Sequence, residues 1–126
     1  MNVSEMIEKL IEICQTETET EYKTTIVCSF SSFFSRDYVL NTFLKNFLCK
    51  NNSYIVKYDS FNNLSIQYKN KFFIYFMHKD DQVLDGLNPK YVFIQSYYEL
   101  TLTKFNSYLI YKSNHVKDSQ IFYFTE

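Results

Sequence analysis

The sequence predicts an α/β protein: a single-domain sandwich in which a central mixed sheet, including an antiparallel meander, packs against about three helices. Three observations lead to it. Residues 85–99, DGLNPKYVFIQSYYE, hold the only glycine and the only proline of the chain, and these precede a continuous apolar run, Tyr91-Val92-Phe93-Ile94. A run of strand length, rich in β-branched and aromatic types, is expected of a strand covered on both faces. Leu40, Phe43, Leu44, Phe47 and Leu48 follow the spacing of a helix stripe over two turns. Between the two lie three short apolar segments, Tyr54–Tyr58, Leu64–Tyr68 and Phe72–Met77, joined by the turns Phe61-Asn62-Asn63 and Lys69-Asn70-Lys71. That is the pattern of a meander.

In chain order, Ser4 is expected to cap a first helix whose apolar side is Val3, Ile7, Leu10, Ile11 and Cys14. Residues 15–21 contain only Gln, Thr and Glu and predict a loop or frayed end. Thr25–Phe30 is apolar and β-branched, hence a strand, and the polar loop Ser31–Arg36 leads to the second helix. Ser35 or Asp37 would cap that helix and Asn51-Asn52 would end it. Beyond the central strand, Tyr98, Leu102, Phe105 and Leu109 repeat at helical spacing, which predicts a third helix from about Tyr98 to Lys112. Lys117-Asp118-Ser119 then turns the chain into a last strand, Gln120–Phe124. The whole of 1–126 is expected to be one domain, with 1–21 an acidic helix and linker and 22–126 the sheet-containing body.

A length of 126 residues suits one core without staples. The chain has 13 Phe and 12 Tyr, no alanine, and single Gly, Pro and Arg residues. This is the residue usage of a strongly AT-rich coding sequence, most familiar from phages, large DNA viruses and AT-rich microbes. Cys14, Cys28 and Cys49 share no metal-like spacing, and each is expected to be a small buried hydrophobe in a reducing compartment. The longest apolar run, Phe72–Met77, is too short for a membrane helix, and the amino terminus carries no signal-peptide pattern. A soluble, intracellular protein follows as the expectation. Net charge is −1, but an acidic arm precedes a mildly basic body.

The order of elements resembles the ATPase core of phage terminase large subunits and related helicase-like P-loop enzymes. LDGLNPKYVFIQ is similar to that family's approach to its acidic strand, and QIFYFTE stands where its coupling strand would lie. The resemblance implies a phosphate-binding loop ahead of the first helix and an acidic Mg²⁺-binding pair after the central strand. No Gly-rich loop is found, and the positions matching the pair are Gln95 and Ser96, neither of which can bind Mg²⁺ as a carboxylate or act as a base. What the resemblance implies is a degenerate, inactive ATPase-like fold.

Other candidate chemistry is scattered along the chain. Asp59, followed after seven residues by Gln67-Tyr68-Lys69, resembles the metal and lysine set of restriction-endonuclease-type nucleases, with an amide in place of the second carboxylate. Rings interleaved with lysines, Tyr54, Lys57, Tyr58, Tyr68, Lys69, Lys71 and Phe73, would suit stacking and phosphate contact in a single-strand nucleic-acid-binding protein. A pI near 6.1 supplies little electrostatic drive for it. His78 with Asp80 and Asp81, and His115, read as surface groups. Arg36, beside a helix start, could hold an anion or pair with Asp37. The reading these observations favour is a small non-catalytic protein-binding module, an inhibitor or adaptor of a nucleic-acid machine. Contacts are expected at Tyr97, Tyr98, Tyr108 and Tyr111 and along Glu17, Glu19 and Glu21 of the arm; no cofactor or metal is expected.

Overall fold

A computed structural model describes residues 1–16, 23–50, 54–58, 64–79, 87–96 and 103–125. It has α1 (Val3–Thr16), β1 (Thr24–Phe30), α2 (Phe33–Asn46), a 3-10 turn (Leu48–Lys50), β2 (Tyr54–Tyr58), β3 (Leu64–Tyr68), β4 (Phe72–His78), β5 (Tyr91–Gln95), α3 (Lys104–Ser113) and β6 (Gln120–Phe124). The strands form one sheet in the order β2-β3-β4-β1-β5-β6. β1 is parallel to both β4 and β5, β5 is parallel to β6, and β2-β3-β4 is an antiparallel meander. This is the expected mixed-sheet α/β sandwich.

Alternation along the strands divides the interior in two. Ile26, Cys28 and Phe30 of β1, Phe72, Ile74 and Phe76 of β4, and Tyr91 and Phe93 of β5 turn to one face, where they pack with Met6, Leu10 and Ile13 of α1 and Val39, Leu40 and Phe43 of α2. Val27, Met77, Val92 and Ile94 turn to the other, under Phe105 and Leu109 of α3. Every residue of β5 is buried, as a strand covered on both faces requires. Rings fill much of the larger core: Phe30 stacks on Phe76 at 6.2 Å and meets Phe124 edge-on at 5.8 Å.

The helix starts differ from expectation. Asn2, not Ser4, caps α1: its Oδ1 accepts from Glu5 N at 2.8 Å while Glu5 Oε1 accepts from Asn2 N at 3.2 Å, a reciprocal box. The stripe of α1 accordingly includes Met6 and Ile13. Ser32, rather than Ser35 or Asp37, caps α2, and its Oγ accepts from Ser35 N at 3.1 Å. The helix therefore begins inside the predicted polar loop. α2 closes at Asn46, and Phe47 and Leu48 continue its buried side through the 3-10 turn. α3 starts at Lys104 behind the cap Thr103, later than Tyr98; residues 97–102 lie outside the described ones. Cys14 and Cys28 are buried but Cys49 is exposed, because it falls on the outer side of the 3-10 turn. No helix among the described residues is long and apolar enough to cross a membrane.

Candidate protein-binding surface at the carboxyl ends of the strands

β1, β4, β5 and β6 point the same way, so their carboxyl ends share one rim of the sheet. α2 leaves this rim over one face, toward β4, and α3 leaves it over the other, toward β6. The gap between β1 and β5 is thus a point where successive crossovers diverge, the place where open α/β sheets form their ligand crevice.

Among the described residues, that gap is spanned by neutral groups. Gln95, the last residue of β5, is only 3% exposed. Its Oε1 accepts from Ser31 N at 2.9 Å and its Nε2 donates to Ser35 Oγ at 3.2 Å. Ser32 Oγ in turn donates to Ser35 Oγ at 3.0 Å. On the other face, Ser29 donates to the Asn106 side chain, and Thr103 Oγ1 joins the start of α3 to Lys79 O at 2.8 Å. The parallel strand ends are therefore tied to both helix starts by amides and hydroxyls. Among the described residues, no group of three His, Cys, Asp or Glu could hold a metal ion.

Outside the network stands a lip of rings. Phe33, Phe34 and Tyr38 are 51%, 80% and 52% exposed. They account for three of the seven large exposed hydrophobics among the described residues, all within the first two turns of α2. Phe33 stacks on His78 with centroids 4.6 Å apart and planes 18° apart, and the Arg36 guanidinium lies 4.9 Å from its centroid. Arg36 also reaches Asp37, through Nε and Nη2, at 3.1 Å. Phe34 is the most exposed ring of the three. Ser32 creates this surface by starting the helix early, which places two consecutive Phe residues on a first turn that the sheet does not cover. By composition SSFFSR is the expected polar loop; the signal in it is a pair of adjacent phenylalanines in an otherwise polar stretch.

The residues singled out from sequence are dispersed. Tyr111 is exposed and packs on His115, with centroids 4.6 Å apart, and Tyr108 lies half-buried under Lys112. Both are on α3, away from the α2 lip. Gln67 lies opposite Ile55 on β2, and its Nε2 is engaged by Asn70 Oδ1 at 2.9 Å. Lys69 occupies the β3–β4 turn with its Nζ over Tyr68. Tyr68 is buried in the main core and offers no stacking face to solvent. Asp59, Glu17, Glu19, Glu21, Tyr97 and Tyr98 lie outside the described residues.

No family model and no curated protein matches this chain. Solved structures do. The large terminase of bacteriophage HK97 is similar with a TM-score of 0.73 at 12% identity, over 98% of this chain and 26% of that one. The large terminase of a thermophilic bacteriophage, in complex with ATP-gamma-S, gives a TM-score of 0.62 at 15% identity, over 99% of this chain and 30% of that one. Another crystal form of the thermophilic phage protein gives 0.59 at 16% identity, over 99% of this chain and 31% of that one. The chain thus shares a fold with part of the terminase large subunits and spans about a quarter to a third of their length.

Proposed function

We propose that this chain is a non-catalytic protein-binding module that acts as an inhibitor or adaptor of a phage or host nucleic-acid machine, and that it contacts its partner through the lip of α2. The observation that carries the reading is the exposed cluster of Phe33, Phe34 and Tyr38 beside Arg36. Rings and an arginine at one place are the composition of interface anchors, which dominate binding when buried by a partner. The neutral Gln95 network behind the lip supports it, since among the described residues the strand ends carry amides and hydroxyls, which supply neither a general base nor a hard anionic seat for Mg²⁺. The fold shared with terminase fragments supplies the setting.

The test replaces Phe34 by a photo-crosslinking phenylalanine and irradiates the chain in nuclease-treated lysate of its natural host. A discrete protein adduct is expected. Once that protein is identified, the Phe34→Ala/Tyr38→Ala double variant should bind it about 30-fold or more weakly, the effect of losing a hot spot of ~2 kcal/mol. Adducts to nucleic acid alone, or unchanged affinity of the variant, would rule the reading out. So would hydrolysis of Mg·ATP by the purified chain.

A further inference from the structure

We infer that the face of the β2-β3-β4 meander turned away from α1 and α2 binds single-stranded DNA, with bases on Phe73 and Tyr75 and phosphates at Lys23 and Lys57. The site goes beyond the α2 lip and does not depend on it. Alternation along the meander builds it. Leu64, Ile66 and Tyr68 of β3 and Phe72, Ile74 and Phe76 of β4 enter the core under α1 and α2, so the residues between them turn to the other face. Register then sets two rows across three strands. Ile55, Gln67 and Phe73 stand side by side in one, and Lys57, Ser65 and Tyr75 in the next.

Among the described residues, α3 packs chiefly on β5 and β6, to one side of these rows. Ile55 is accordingly 53% exposed, Lys57 is exposed, and Phe73 and Tyr75 are half-buried. Lys23 stands just ahead of β1, whose first residue Thr24 is paired with Phe72. Its side chain crosses to this face, with Nζ 5.2 Å from the Phe73 centroid. Two rings on one strand thus lie between a lysine at the β2 edge and a lysine at the foot of β1.

Charge selects the class of partner. The net charge of −1 conceals an uneven layout, since residues 45–79 hold six lysines and one acid, Asp59. Glu5, Glu8 and Glu12 lie on α1, across the sheet. Neither Lys23 nor Lys57 pairs with a carboxylate among the described residues. Such a surface attracts a polyanion, and the rings decide which one. Phe73 and Tyr75 are two residues apart on one strand, about 7 Å, and neighbouring rings on a sheet face stack successive bases. An acidic peptide would use the lysines and leave the rings idle, and a duplex keeps its base faces inside its own stack. A single strand uses both. The adjoining Ile55 side chain is apolar and offers nothing to a 2′-hydroxyl, which favours DNA over RNA. From Lys57 across the rings to Lys23 the path suits about four nucleotides. As the second base takes the Phe73 ring, the Lys23 ammonium leaves it for the phosphate alongside.

The experiment follows the anisotropy of a fluorescein-labelled oligo(dT) of about ten nucleotides as the full chain is added at low salt, and maps the contact by amide shifts in the isotopically labelled chain. Shifts should cluster at Ser65, Gln67, Phe73 and Tyr75 and spare Phe34. Two phosphate contacts predict that log Kd rises with log salt at a slope of about 1.4. The Lys23→Gln/Lys57→Gln variant should bind about tenfold more weakly with a flatter slope. Tyr75→Leu keeps an apolar side chain in place but removes the stacking surface, and should cost about tenfold in Kd at an unchanged slope. Phe34→Ala/Tyr38→Ala should bind like the parent, which separates this site from the lip. No binding at low salt, equal affinity for oligo(U), equal competition by polyglutamate, shifts away from the meander, or parent-like binding by Tyr75→Leu or by the lysine variant would each overturn the inference.

Discussion

Gln95 is a buried amide with both of its ends engaged, which makes it the most informative side chain at the rim. Gln95→Ala leaves Ser31 N–H without its acceptor and frees Ser35 from one donor. A buried group left unpaired costs about 1–3 kcal/mol, so the variant should lose that much stability in urea titration with its fold intact. The thiols allow a second residue-scale prediction. Burial pushes Cys14 up to about 12 from an ordinary 9.0, and burial followed by the neighbouring Cys14 pushes Cys28 higher still. Both remain neutral thiols at pH 8, whereas Cys49 is exposed. A thiol reagent at pH 8 should modify one of the three cysteines in the folded chain and all three in denaturant. The sign of the pH effect follows. Because the folded values lie above the unfolded one, these groups contribute full stability below about pH 9, and that contribution is lost as pH rises toward the folded values. Measured Tm should fall accordingly in alkaline buffer.

At the scale of elements, the β3–β4 hairpin turns through Lys69 and Asn70, both with φ of 54°, closed by Lys71 N donating to Tyr68 O at 3.1 Å. Positive φ at both central positions is the type I′ pattern that matches strand twist. A lysine there carries a Cβ in the left-handed region, which costs about 1–2 kcal/mol. Lys69→Gly removes that strain and gives back part of it as chain entropy, so a gain of roughly 1 kcal/mol or less is expected from thermal unfolding. Strands were the legible elements: Tyr54–Tyr58, Leu64–Tyr68 and Gln120–Phe124 end where their apolar alternation ends. Helix starts were not. Ser32 is chosen as a cap by where β1 releases the chain and Asn2 lies where it bridges Thr125, whereas Ser4, Ser35 and Asp37 are equally good caps by type. The lip was hidden for the same reason, since Phe33 and Phe34 become a surface only once the helix is known to begin at Phe33.

For the whole molecule, the mixed α/β sandwich could be read from the sequence because aromatic and β-branched runs of strand length leave little choice of layer. Strand order could not, since nothing local to Thr24–Phe30 says that its neighbours are Phe72–His78 and Tyr91–Gln95. The candidate site depends on that order, because Ser31 reaches Gln95 and Phe33 reaches His78 only when β1 lies between β5 and β4. The placement of β1 also governs how the chain is made. β1 precedes both of its partners in the chain, so as the chain leaves the ribosome the apolar segment Thr24–Phe30 waits for Phe72–His78 and Tyr91–Gln95. The meander can form locally, whereas the sheet cannot close around β1 until Gln95 has emerged. A nascent chain stalled before β5 would expose one whole edge of its most apolar strand, a natural substrate for chaperones.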